Sequence, residues 1–284
     1  NSLTGSRKNI SMHYDLSNDF FKLFLDQTML YSSARFMSAR DSLKKAQLNK
    51  VHDIIEKLQI TKTDHVLEIG CGWGGFAIEA ARKTGCRVTG VTISEEQYAY
   101  AKERVQSQKL QKLVSIELLD YRKLSGTYDK IVSIEMAEAV GAKYLGEFVH
   151  TIDRHLKKDG LAFLQCITMP DNRHDHYKRS TDWIRKYIFN GGHLLSLTEL
   201  CTQLKRNSTL FIHHLENIGV HYAKTLHLWR ENFEKNVQKI EKLGFDGTFI
   251  RKWRYYLASC EAAFETRMVN DIQIILTREN NYHV

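Results

Sequence analysis

Three features of the 284-residue sequence predict an α/β chain with a doubly wound, mostly parallel sheet. Short apolar runs alternate with helical stretches of roughly 10–15 residues. A glycine-rich turn links the first apolar run to a helix. The final run, Asp271–Thr277, follows two long helices and reads as an antiparallel last strand. Composition agrees: 43% hydrophobic and 26% charged residues suit a globular chain and exclude disordered and fibrous classes. No apolar run reaches the ~18 residues of a spanning helix, and the opening residues hold no signal-peptide core. Five scattered cysteines without a Cys-x-x-Cys pair predict neither a disulfide framework nor a zinc knuckle, and fit a reducing cytoplasm. With 41 basic and 33 acidic residues the net charge is +8, which suits an anionic partner such as a nucleic acid or an acidic lipid surface.

Along the chain, residues 1–40 are polar and irregular apart from an amphipathic stretch at Phe20–Leu25. Leu43, Ala46, Val51, Ile54, Ile55 and Leu58 recur at helical spacing and predict a helix over Asp41–Leu58. Strands are expected at His65–Ile69, Arg87–Ile93, Leu113–Leu119, Tyr128–Ile134 and Leu161–Ile167, with helices at Gly74–Thr84 (closed by Gly85), from Ser94 onward, and at Tyr144–Leu156. Ser94 with Gln97 three residues on has the pattern of a capping box. The rhythm breaks over Met169–Arg206, aromatic and basic without a clean period, which reads as an insertion. A strand near Leu210–Leu215 and helices over Tyr222–Lys242 and Phe249–Arg267 precede the last strand.

The turn Gly70-Cys-Gly-Trp-Gly-Gly75 satisfies GxGxxG at a strand-to-helix junction, where backbone approaches a ligand closely. Nicotinamide dinucleotide and S-adenosylmethionine both use such turns. A dinucleotide site wants an acid about 20 residues on, where this chain has Thr92; many S-adenosylmethionine sites use an acid there too, so its absence weakens both readings. The third strand ends in Asp120-Tyr121, an acid beside an aromatic, suited to an adenine amine and ring, which favours S-adenosylmethionine.

Several segments then resemble the cyclopropane-fatty-acyl-phospholipid synthase family. They are His13-Tyr-Asp-Leu-Ser-Asn-Asp-Phe-Phe21, Met29-Leu-Tyr-Ser-Ser-Ala-Arg-Phe36, Glu68-Ile-Gly-Cys-Gly-Trp-Gly74, Thr92-Ile-Ser-Glu-Glu-Gln97, Glu135-Met-Ala-Glu-Ala-Val-Gly141, Tyr187-Ile-Phe-Asn-Gly-Gly192, His221-Tyr-Ala-Lys-Thr-Leu226 and Trp253–Cys260. The resemblance runs from about residue 5 to 278. It implies a class I methyltransferase fold, Rossmann-like, that moves a methyl from S-adenosylmethionine to the cis double bond of a phospholipid acyl chain, giving a cyclopropane. It implies cofactor contacts at Tyr31, Ser32, Gly70, Gly72, Thr92, Gln97, Asp120 and Tyr121. In the family a bound bicarbonate removes the last proton, held by a Cys, a Glu, a His, a Tyr and backbone near an Ile. Carried over, these positions are Ser33, Glu138, Gln165, Tyr222 and Ile167, so the Cys and the His are replaced.

The resemblance also implies one catalytic domain: a helical cap over 1–60, a cofactor half over 61–168, a lipid-binding insertion over 169–210 and C-terminal helices with the last strand over 211–284. Some relatives carry a further N-terminal domain, so the chain reads as the catalytic part of a longer protein. The expected partners are an unsaturated acyl chain and an anionic phospholipid surface, with peripheral attachment from the cytoplasm; a homodimer is compatible, and nucleic acid is not expected. Neighbouring activities are a methyl- or methylene-branched product, or small-molecule N-methylation. Against the latter, N-methylating relatives carry Glu-His where this chain has Glu138-Ala139. His174, His176, His213 and His214 lack an accompanying carboxylate or cysteine pattern and read as solvated surface rather than metal ligands.

Overall fold

The computed structural model describes residues 17–282 and 284; the first part of the opening signature, residues 13–16, lies outside them. A short helix α1 (Asn18–Lys22) and α2 (Leu43–Lys57) precede β1 (His65–Ile69). There follow α3 (Gly75–Thr84), β2 (Arg87–Thr92), α4 (Glu95–Ser107), β3 (Val114–Leu118), β4 (Tyr128–Ile134), α5 (Ala137–Val140), α6 (Leu145–His155) and β5 (Leu156–Thr168). The expected insertion holds α7 (Asp171–Arg179), α8 (Trp183–Tyr187) and α9 (Leu197–Asn207). The chain then forms β6 (Phe211–Asn217), α10 (Gly219–Lys235), α11 (Val237–Lys242), α12 (Gly247–Glu265) and β7 (Asn270–Thr277).

The seven strands form one sheet in the order β3-β2-β1-β4-β5-β7-β6. The first five strands run parallel, whereas β7 is antiparallel to both β5 and β6. The last strand is therefore antiparallel as expected, but it lies inside the sheet. Alternate residues feed two cores, as strand geometry requires. Leu67, Ile131, Leu164 and Ile274 belong to one, with Phe148 and Ile152 of α6. Val66, Val132, Phe163 and Ile275 belong to the other, with Val51 and Ile54 of α2.

The principal differences from the sequence reading have local causes. The segment read as one helix over Tyr222–Lys242 breaks at Asn236, whose side-chain amide donates to Leu23 O and Asn232 O. Such side-chain-to-backbone bonds compete with the helical ladder. The insertion showed no period because its first two helices are short and carry few buried residues. Only half of the capping box forms. Ser94 Oγ accepts from Gln97 N at 3.2 Å, while the Gln97 side chain turns to Thr92 instead of Ser94 N.

A third, aromatic core joins the N-terminal segment to the C-terminal helices. Phe20 is its centre: fully buried, it meets the rings of Phe21, Phe24, Phe233, Phe245, Phe249 and Trp253 at 4.7–6.3 Å. Phe20→Ala would leave a cavity that neighbours on three helices and two connecting segments cannot all close. It should lower the unfolding free energy by about 3–5 kcal/mol in urea titrations, the usual cost of such truncations.

Candidate functional site

The C-terminal ends of β1, β2 and β4 open onto a first cavity. The glycine turn shapes it. Gly70 and Gly72 have φ of +80° and +51°, a region that favours glycine. A Cβ on Gly70 would meet Met136 Cγ at 2.7 Å, whereas one on Gly72 would meet nothing within 4 Å and would project into open space. All eight residues expected to contact a cofactor line this cavity. Thr92 Oγ1 donates to Gln97 Oε1 at 2.9 Å, which turns the Gln97 amide nitrogen away from Thr92. Asp120 is more occupied than expected for a free acceptor, since the Arg122 guanidinium holds both its oxygens at 2.9 and 2.6 Å. Tyr121 packs edge-on against Phe148. Tyr31 reaches Tyr256 through a 2.8 Å hydroxyl pair.

Beneath this cavity lies Lys50, fully buried, whose ammonium donates to Ser32 Oγ. Burial lowers its pKa to about 8, against the opposing pull of the carboxylates of Glu135, Asp271, Asp26 and Glu68.

A second cavity of about 380 Å³, mostly apolar, lies between the insertion and the C-terminal helices. Trp183, Ile184 and Phe189 of the aromatic and basic insertion line it, as do Tyr256 and Phe264. Tyr31, Glu135 and Ala139 line both cavities, so the two meet there.

The residues expected to hold bicarbonate converge on this junction, but their donors are taken up by a side chain of the protein. Glu135 Oε1 accepts from Ser33 N and from Gln165 Nε2, both at 2.7 Å, and Oε2 accepts from Tyr222 OH at 2.6 Å. Gln165 and Tyr222 donate to Glu135 through their side chains. Ser33 does so through its backbone, because its hydroxyl turns to Ala34 O. The backbone N–H of Ile167 donates to Glu138 Oε1.

Burial pushes Glu138 up to about 8, helped by the charge of Glu135. Its Oε2 is enclosed without a hydrogen-bond partner. Burial also raises Asp271 well above the carboxylate range and raises Glu135, but Lys50 and the three donors oppose the effect at Glu135. Glu135 has φ +49°, unusual for a residue with a side chain. Glu135 opens the motif Glu135–Gly141, to which the resemblance assigns a role only at Glu138. The available signal was the paired departure of Ser33 and Gln165 beside an acid three residues before Glu138.

His176, His213 and His214 are exposed, as read. His174 corrects that reading, for it is buried beside His193, and both face Glu199 Oε2 at 3.4 and 2.7 Å. The ligand-capable atoms of these three residues lie within 4.8 Å of one another. The sequence hid the group because His193 and Glu199 come from segments that only the insertion's fold brings to α7.

The sequence profile of the mycolic acid cyclopropane synthetase family matches residues 1–274. The chain is 39% identical over 281 residues to the tuberculostearic acid methyltransferase UfaA1 of Mycobacterium tuberculosis, covering 96% of this chain and 66% of that protein. It is 37% identical over 279 residues to the cyclopropane-fatty-acyl-phospholipid synthase of Escherichia coli K12, covering 96% and 69%. It thus spans about two thirds of the length of these relatives. The structure of mycolic acid cyclopropane synthase CmaA1 complexed with SAH and CTAB superimposes with a TM-score of 0.90 at 28% identity, covering 96% of this chain and 98% of that one. Fold, sheet order and sequence agree: the chain belongs to the mycolic acid cyclopropane synthetase family, S-adenosylmethionine-dependent methyltransferases of the cyclopropane synthase type.

Proposed function

We propose that the chain methylates a cis double bond of an unsaturated phospholipid acyl chain, and that Glu135 accepts a proton from the new methyl as a cyclopropane closes. The observation that carries this reading is the meeting of a glycine-lined cavity and an apolar cavity at Glu135. The first cavity fits S-adenosylmethionine, because open space lies where a Gly72 side chain would be. Tyr31, Ser32, Gly70, Gly72, Thr92, Gln97, Asp120 and Tyr121 would hold it. When bound, it supplies an electrophilic methyl.

The second cavity suits the acyl chain. An alkene carbon that gains a methyl leaves a carbocation on its neighbour, and the rings of Tyr31, Tyr222, Tyr256 and Phe264 line that space. The Glu135 carboxylate, fixed by three donors before reaction, stabilises the cation and takes the methyl proton without rearranging. It takes the place expected of bicarbonate. Burial and the charge of Glu135 raise both Glu138 and Asp271, whereas Lys50 and the three donors oppose that rise at Glu135, so the charge is best held on Glu135.

A second reading ends in a branch: a hydride shift before loss of the methyl proton gives a methylene instead of a ring. The 39% identity to a protein called tuberculostearic acid methyltransferase favours it. Both readings place the enzyme on a membrane surface. Tyr255 and Met268 line the acyl cavity and are half-exposed, and the ammonium groups of Lys186 and Lys252 lie 5.2 and 5.4 Å from the ring centre of the exposed Tyr187. Aromatic and basic groups together suit a lipid interface. Among the described residues no helix is long and apolar enough to cross a membrane.

Incubation with S-adenosylmethionine and vesicles of monounsaturated phospholipid should add one methylene to the acyl mass; a folded enzyme that leaves every acyl chain unchanged contradicts the proposal. In that assay Glu135→Gln should reduce turnover at least ~10²-fold with cofactor affinity kept, and bicarbonate depletion should leave the wild-type rate intact. Gly72→Val should abolish cofactor binding in calorimetry while circular dichroism persists, since the branched side chain enters the cavity and φ is positive. Glu138 carries a pH signature. Between the ordinary carboxylate range and about 8 the folded chain holds a proton that the unfolded chain has released, so stability falls as pH rises. Glu138→Gln lacks this loss and should gain on the wild type by up to ~1.4 kcal/mol per pH unit across that window, read from urea midpoints.

A further inference from the structure

Register places Gln165 of β5, Gln273 of β7 and Glu216 of β6 in one row across adjacent strands. Gln165 and Gln273 are 0% and 1% exposed, an unusual placement for two amides among apolar neighbours. A buried amide can present either its oxygen or its nitrogen to a given side with little change of shape, so its partners must fix the choice.

Here the choice starts at a cation. A lysine ammonium only donates. Lys57 Nζ donates to Gln273 Oε1 at 3.0 Å. Gln273 Nε2 therefore points the other way and donates to Gln165 Oε1 at 3.1 Å. Gln165 Nε2 is left to donate to Glu135 Oε1 at 2.7 Å and to Asp271 Oδ2 at 2.8 Å. The row carries the donor-only character of a cation near the surface to a carboxylate inside. Lys57 is itself held, by contacts of 2.7 Å with both Asp53 and Glu216, and Arg35 grips the same two carboxylates. Helix geometry explains the supply of both cations: Lys50 and Lys57 lie seven residues, or two turns, apart on one face of α2. Lys50 acts on the carboxylates by its charge, from a hydrogen bond to Ser32, and Lys57 acts through the amides.

We propose that Lys57 and Gln273 are positioning residues that lock the Gln165 amide with its N–H toward Glu135, which keeps that carboxylate free to accept a proton. With the row broken, Gln165 can turn its carbonyl toward Glu135, which takes a donor from the ionised carboxylate and so favours its protonated form. The functional consequence rests on the role of Glu135 given above; the locking of the amide does not.

The test therefore reads the carboxyl group and not turnover. Glu135 also faces Lys50 of α2, Glu138 of α5, Cys166 of β5, Tyr222 of α10 and Asp271 of β7, and all of these stay in place. Protein labelled with ¹³C at glutamate Cδ is titrated by NMR, with the Glu135 signal assigned by its loss in Glu135→Gln. The midpoint should rise by roughly one pH unit in Gln273→Leu, about the worth of a hydrogen bond to an ionised group. Lys57→Met, a change near the surface that keeps the fold if Gln273→Leu does not, should shift it in the same direction, and Lys57→Arg should restore the wild-type value. An unchanged midpoint in either folded variant overturns the proposal. A wild-type chain that transfers no methyl would instead contradict the proposed function and leave this titration standing.

Discussion

The structure depends on the enclosure of a carboxylate at the end of β4. Glu135 lines both cavities and, drawn away from bulk water, needs compensation for the hydration it has lost. That compensation comes from segments far apart in sequence: Ser33 before α2, Gln165 on β5, Tyr222 on α10 and the Lys50 ammonium from α2. Each must be delivered by a correctly packed element, which makes the site a report on the whole fold. The positive φ of Glu135 fits this view, since strained backbone persists where its surroundings fix it from several sides.

The three cores divide the work accordingly. Two of them seat helices on the faces of the sheet and so fix α2, with Lys50 and Lys57, against the sheet. The aromatic core clamps the N-terminal segment to the C-terminal helices and so brings Tyr31, Ser33 and Tyr222 to the same junction. The polar groups then remain few and paired within apolar surroundings, where a charge-assisted hydrogen bond is strongest.

Much of the sheet was legible in the sequence because a buried parallel strand is a continuous apolar run with sharp ends. His65–Ile69 and Tyr128–Ile134 match the expected spans, and the remaining strands differ only at their ends. The glycine turn was legible for the same local reason. The insertion was not, because helices such as α7 and α8 take their position from tertiary contacts and carry little period of their own. In the candidate site, the positions of Gln165 and Tyr222 followed from resemblance, but their common target did not. Glu135 lies 102 residues from Ser33 and 87 from Tyr222, and no spacing rule reaches that far. The turned-away hydroxyl of Ser33 was equally hidden, since residue type does not say which of its donors is used.

The central claim is that a hydrogen of the transferred methyl leaves to a base held at the cavity junction. Its most direct measurement uses S-adenosylmethionine carrying a trideuterated methyl and vesicles of monounsaturated phospholipid, with the acyl product analysed by mass spectrometry. Proton abstraction from the new methyl predicts a product that keeps two of the three deuterium atoms. A product that keeps all three would contradict the account, because the methyl would then never have met a base.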